Sequence, residues 1–198
     1  MKMTSAIIRV FCWSLVAVVL TAVLIGALAF DLLSSWGAGV FKLNTSGWYR
    51  EEKLSGPYTV QHTYTVDQAV THLDVDWRFG QVTVVLDDTL DSIQLVELAQ
   101  RPLKQDEKLQ YTTDAGELKV QYSPKQGFHL FRKMASKQLE VRIPPGLKRW
   151  SSLQVSTHSA DIAVRGLSVD TLNLDNVSGK ITAGDVEAEN GTIHTVSG

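Results

Sequence analysis

From Tyr58 onward the chain alternates. Tyr58, Val60, His62, Tyr64 and Val66 fall on one side of an extended segment, and Thr59, Gln61, Thr63 and Thr65 fall on the other. A period of two carried by β-branched and aromatic residues predicts half-buried strands. Further runs follow at Leu73–Trp77, Val82–Leu86, Ile93–Leu98, Leu109–Thr113, Leu118–Tyr122 and Leu139–Ile143. Turn signals separate them at Phe79-Gly80, Asp87-Asp88, Asp114-Ala115-Gly116, Ser123-Pro124 and Pro144-Pro145-Gly146, where Gly, Pro and Asp break extended structure. The pattern predicts an all-β domain with no helix after residue 57.

A longer period is superimposed on the short one. Val-Ser-Gly occurs at Val177–Gly179 and again nineteen residues on at Val196–Gly198, with a degenerate copy at Ser159-Ala160. The same spacing aligns Val155 with Leu174 and Ile193, Thr157 with Asn176 and Thr195, and Ile162 with Ile181. Units of this size cannot bury an apolar face alone, so they must stack, one rung on the next. The expected fold is therefore a stacked-strand β-solenoid, like a single-stranded β-helix, turning a corner at Ser159/Ala160, Ser178/Gly179 and Ser197/Gly198. Glycine suits the corner because it reaches positive φ and needs no room for a Cβ. Residues 75–82 fit the same template, with Phe79 in place of serine and Gly80 at the corner, which suggests that one template builds the whole domain. The chain stops on a corner, so the stack is expected to continue past Gly198.

The region before the strands obeys a different rule. Val10–Phe30 is a run of 21 residues without a charge, and about 20 apolar residues span a hydrocarbon core as a helix. The expected organisation is a short cytoplasmic N-terminus (1–9), a transmembrane helix (10–30), a juxtamembrane linker (31–57) and an extracytoplasmic β-repeat domain (58–198). Lys2 and Arg9 before the run and Asp31 after it favour that orientation. Ala27-Leu28-Ala29 also has the form of a signal-peptidase site, and cleavage near Ala29 would release the domain; both readings place it outside the cytoplasm.

Charge narrows the partners. The chain carries a net charge of −2, and the part after residue 30, with 17 basic against 21 acidic residues, carries −4. Without a basic stripe there is no footprint for nucleic acid. The single cysteine, Cys12, lies within the apolar run, so the external domain has no disulfide to form.

The chemical candidates are few. Nineteen-residue spacing aligns Ser156, Asp175 and His194, but strands ~4.8 Å apart would put Asp in the middle and ~9.6 Å between nucleophile and base. These three are expected to be exposed rung residues. Thr157, Asn176 and Thr195 form an inner polar column able to hydrogen-bond along the stack, as Asn ladders do. His62, His72, His129, His158 and His194 lack metal-ligand spacing; no metal, cofactor or catalytic residue is expected. Three N-glycosylation acceptors occur, at Asn44, Asn176 and Asn190, with Asn176 expected to point inward. The best candidate for a contact surface is Gly127–Met134, where Phe128, Leu130 and Phe131 adjoin Arg132 and Lys133 and could touch anionic lipid or a partner.

Together the Ser178-Gly179-Lys180-Ile181 rung, the strand Leu139–Ile143 followed by Pro144, and the N-terminal apolar run resemble the bacterial adhesin family that includes LiaG-like and YvlB-like proteins. The resemblance covers Val70–Gly198. It implies a membrane-tethered or secreted β-solenoid of the cell envelope with no known enzymatic activity, acting as a structural or interaction protein. An envelope partner, or a second copy, could add a strand to an open edge beyond Val196. The alternative is an envelope-stress signalling component that works through its helix, where Ala22, Gly26 and Ala29 offer a small-residue stripe.

Overall fold

A computed structural model describes residues 50–123, 133–147 and 149–198. These form β1 (Arg50–Glu52), β2 (Thr59–Val66), β3 (His72–Leu86), β4 (Ile93–Ala99), β5 (Gln110–Asp114) and β6 (Glu117–Gln121). They continue with β7 (Lys133–Ala135), β8 (Lys137–Ile143), β9 (Arg149–Arg165), β10 (Ser168–Ser178), β11 (Ile181–Gly184) and β12 (Glu187–Ser197), plus a 3-10 turn at Pro145–Leu147. The Val10–Phe30 run lies outside the described residues, among which no helix is long and apolar enough to cross a membrane.

Stacking follows the nineteen-residue register. Strand β10 lies parallel between β9 and β12, with Leu172 opposite Leu153 and Gly191, and Leu174 opposite Val155 and Ile193. Strand β11 lies parallel to the second half of β9, with Ile181 opposite Ile162. A rung is thus a long strand, a corner and a second strand, and the second strand supplies the crossover that parallel pairing requires. Strand β3 is one such rung running unbroken through its corner: Val75 pairs with Val155 before it and Val82 with Ile162 after it. The runs at Leu73–Trp77 and Val82–Leu86 are therefore one bent strand.

Below β3 the rung is split. Strand β6 pairs with the first half of β3 and β8 with the second half, both parallel, but the chain detours through β7 between them. Beyond this level the direction reverses, because β5 is antiparallel to β6, β4 to β8 and β2 to β4. Here the structure departs from a stack built from one template: β2, β4 and β5 close one end by running against their neighbours. Alternation is the same in parallel and antiparallel strands, so the sequence pattern cannot distinguish them.

The core is the filled interior between the two halves of every rung. Leu73, Val75, Val82, Val84, Leu118, Leu139, Val141, Leu153, Val155, Ile162, Val164, Leu172 and Leu174 are all buried. One extra residue between Val60 and His62 shifts the β2 register. That bulge turns Val60 outward, 58% exposed, while Tyr64 still packs against the core. Bulges of this kind blunt an edge strand against unwanted pairing.

The corners show why their residues are small. Gly80 has φ +102°, and a Cβ there would sit 1.9 Å from the backbone oxygen of Lys137; Gly179 has φ +137°, and its Cβ would sit 2.7 Å from the oxygen of Ala160. Both reasons offered for glycine, conformation and space, hold at these two positions. Ala160 occupies the same column without a positive φ.

Candidate functional site

The residues singled out from sequence behave mainly as scaffold. Register places Asp175 between Ser156 and His194, so no triad can assemble. The same column continues to Asp76 opposite Ser156; it is half-buried to exposed and belongs to the outer face. The inner polar column does form, with Asn176 opposite Thr157 and Thr195. Its hydrogen bonds differ from the ladder expected, because they are made within each rung. Thr157 Oγ1 donates to Ala160 O at 3.2 Å, and Ser178 N–H donates to Asn176 Oδ1 at 3.0 Å. Thr157 and Asn176 each brace the corner of their own rung, a local competition for backbone groups typical of Thr and Asn. Asn176 is 2% exposed, which closes it to glycosylation.

Among the described residues no group of three or more His, Cys, Asp or Glu is placed to hold a metal. Of the candidate contact surface, Phe128, Leu130, Phe131 and Arg132 lie outside the described residues; Lys133 is described, exposed at the start of β7.

The unexpected site is a buried ion pair at the split rung. Ser136-Lys137 occupies the corner slot, with Lys137 opposite Gly80. Because the chain detours just before it, this corner has room for a long side chain. Lys137 and Glu97 are both 0% exposed, and Lys137 Nζ lies 2.7 Å from Glu97 Oε1. The ammonium also donates to Glu107 O at 2.7 Å and to Tyr122 O. Its centre is 4.0 Å from the Tyr122 ring and 4.9 Å from the Trp77 ring, close enough for cation–π attraction. Trp77 Nε1 donates back to Lys137 O at 3.3 Å, and Leu109 N–H donates to Glu97 Oε1 at 2.9 Å. All three ammonium protons have acceptors, as a buried cation requires.

Burial pulls the Lys137 amine down to about 8, against the opposing pull of Glu97. Burial likewise raises Tyr122, and it pushes Tyr64 up to about 12. The tyrosines resist ionisation in the folded state, so the unfolded chain ionises first, and the stability they contribute is complete below about pH 10 and is lost as pH rises from there through about 12, a profile to be read from urea denaturation midpoints between about pH 8 and 12.

An adjoining crevice is lined by Asp106, Glu107, Tyr122, Lys133, Met134, Ala135 and Lys137, with a volume of about 10 Å3, room for a single water. A perturbed lysine in a cleft can mark catalysis, but this ammonium is coordinated on every proton, and the crevice the described residues form beside it holds about one water. The sequence signal for the pair was parity. Glu97 shares the inner side with Ile93 and Leu95, and Lys137 shares it with Leu139 and Val141. Charge at an inner position is the mark of a buried pair.

This geometry defines an all-β stacked-rung domain, solenoid-like, whose polar interior groups brace the fold. The chain belongs to the Toastrack DUF4097 family, whose model matches residues 70–198. No curated protein matches it. Among solved structures it is similar to a "putative cell adhesion protein" from Clostridium sporogenes ATCC 15579, at 10% identity and TM-score 0.46, covering 70% of this chain and 73% of that one. It is also similar to a "putative lipid binding protein" from Parabacteroides distasonis ATCC 8503, at 13% identity and TM-score 0.35, covering 75% and 65%. A "putative adhesin" from Parabacteroides merdae ATCC 43184 follows at 8% identity and TM-score 0.31, covering 74% and 80%.

Proposed function

We propose that this chain is a membrane-anchored, extracytoplasmic interaction protein of the bacterial envelope, adhesin-like and without catalytic activity. The observation that carries the reading is the distribution of polar groups. Inner ones are taken up by corners and by the Lys137–Glu97 pair, while the outer face of the rungs presents in-register polar columns. Such a molecule binds through surfaces and edges. Strand β12, with Ile193 57% and Val196 69% exposed, is where the chain's own next rung, an envelope partner or a second copy would add a strand. The charge-free run Val10–Phe30 supports the anchor, and the family supports the surface role.

The test is direct. Membrane vesicles carrying the full chain should bind isolated cell walls, and vesicles without it should not; equal binding by both would remove the adhesive reading. One observation favours the signalling alternative. Residues 50–58, which join the domain to the preceding chain, are tied to it by hydrogen bonds and an ion pair, so movement upstream has a route into the fold.

A further inference from the structure

Residues 50–58 contribute nothing to the apolar core, and residues 53–57 are exposed. They are held by polar links alone. Strand β1 pairs parallel with β7, with Arg50 opposite Lys133, Glu51 opposite Met134 and Glu52 opposite Ala135; Ser136 N–H then donates to Glu52 O at 3.3 Å. Tyr58 OH and Ser136 Oγ are 2.8 Å apart. Gln100 takes Leu54 N–H at 3.1 Å and donates to Gly56 O at 2.8 Å. Arg101 grips Glu52 Oε2 through Nε and one terminal nitrogen, at 3.1 and 2.9 Å, and clasps both oxygens of Glu107 at 2.8 Å.

Most of these links converge on the surroundings of one side chain. Ala135 and Ser136 immediately precede Lys137, and Tyr122, whose ring faces the Lys137 ammonium, donates its OH to Ala135 O. Glu107, held by Arg101, accepts a hydrogen bond from Lys137 Nζ at its backbone oxygen. Two separate routes therefore join the segment to the buried amine, one through β7 and one through Arg101. Polar links between partly exposed groups are individually weak, and segments that bury little apolar surface open well below the global unfolding free energy.

We propose that residues 50–58 form a releasable latch, and that lifting it loosens β7 and Glu107 together and opens Lys137 to solvent. The latch converts a displacement of the preceding chain into exposure of a concealed amine beneath Tyr122. It does not depend on whether the molecule adheres, so its failure would leave the adhesive reading standing.

The test uses the full chain, as wild type and as Arg101→Gln combined with Tyr58→Phe. Two quantities are read together: hydrogen exchange of residues 50–58, 133–137 and the β3 and β9 amides, and acetylation of Lys137 by an anhydride, resolved by peptide mass spectrometry with Lys180 as the exposed reference. The variant should exchange roughly tenfold faster in residues 50–58 and at Ser136, and acetylate Lys137 roughly tenfold faster, with β3, β9 and Lys180 unchanged. Three results would overturn the latch: a loosened segment with Lys137 still protected, Lys137 exposed only in step with β9, or a segment whose exchange does not change.

Discussion

Lys137→Met alone is expected to lower unfolding stability by about 3–5 kcal/mol, because it leaves Glu97 buried without its counter-charge. Glu97 Oε1 would keep only the Leu109 N–H, and Oε2 is already buried without a hydrogen-bond partner. Glu97→Leu alone should cost a similar amount, stranding the ammonium between two rings and two carbonyl groups. The double variant is expected to recover most of the loss, since paired charges in a dry interior offset little more than their own desolvation. Urea unfolding of the four proteins closes the cycle. Additive losses in the double variant would show that the two side chains act independently, against the 2.7 Å contact between them.

Gly80→Ala should be as damaging, for a different reason. The added methyl would meet the backbone oxygen of Lys137 at 1.9 Å, with the carbonyl carbon and nitrogen of that residue also within about 3 Å. Backbone cannot swing aside as a side-chain tip can, and φ of +102° is itself unfavourable for alanine. Strain in the backbone and overpacking each contribute roughly 1–3 kcal/mol, so a loss of about 3 kcal/mol or more is expected. Ala160→Gly, one rung away in the same column, should cost only about 0.5–1 kcal/mol through chain entropy. Thermal melting of both variants separates the two cases; equal losses would mean that the column as a whole, not the approach of Lys137, sets the demand for glycine.

The legible part of this fold is the part that repeats. Val177-Ser178-Gly179 and Val196-Ser197-Gly198 give the rung length because identical corners must recur at identical spacing. Val155, Leu174 and Ile193 follow as one column in register. What escaped the pattern has no period to reveal it. Strands β1 and β7 are three residues each, too short to alternate visibly, and their partners lie some eighty residues apart in the chain. The bulge after Val60 adds a single residue without disturbing the written alternation, yet it reverses which side Val60 faces. Lys137 is an intermediate case. Its inner parity could be read from Leu139 and Val141, but that its corner has space for a lysine depends on the detour through β7, which no local rule announces.

The reversal of strand direction between β8 and β4 gives the molecule a polarity of growth. A parallel rung presents a new edge like the one it covered, so a copied nineteen-residue unit inserted after Gly179 would find the register, corner and inner column already waiting. The antiparallel end offers no such continuation: β4 and β5 run against the stack, β2 reverses again on β4, and the bulge in β2 spoils its edge as a template. Length can therefore change on one side only, by whole rungs, while the end that holds Lys137, Glu97 and Arg101 stays constant in composition.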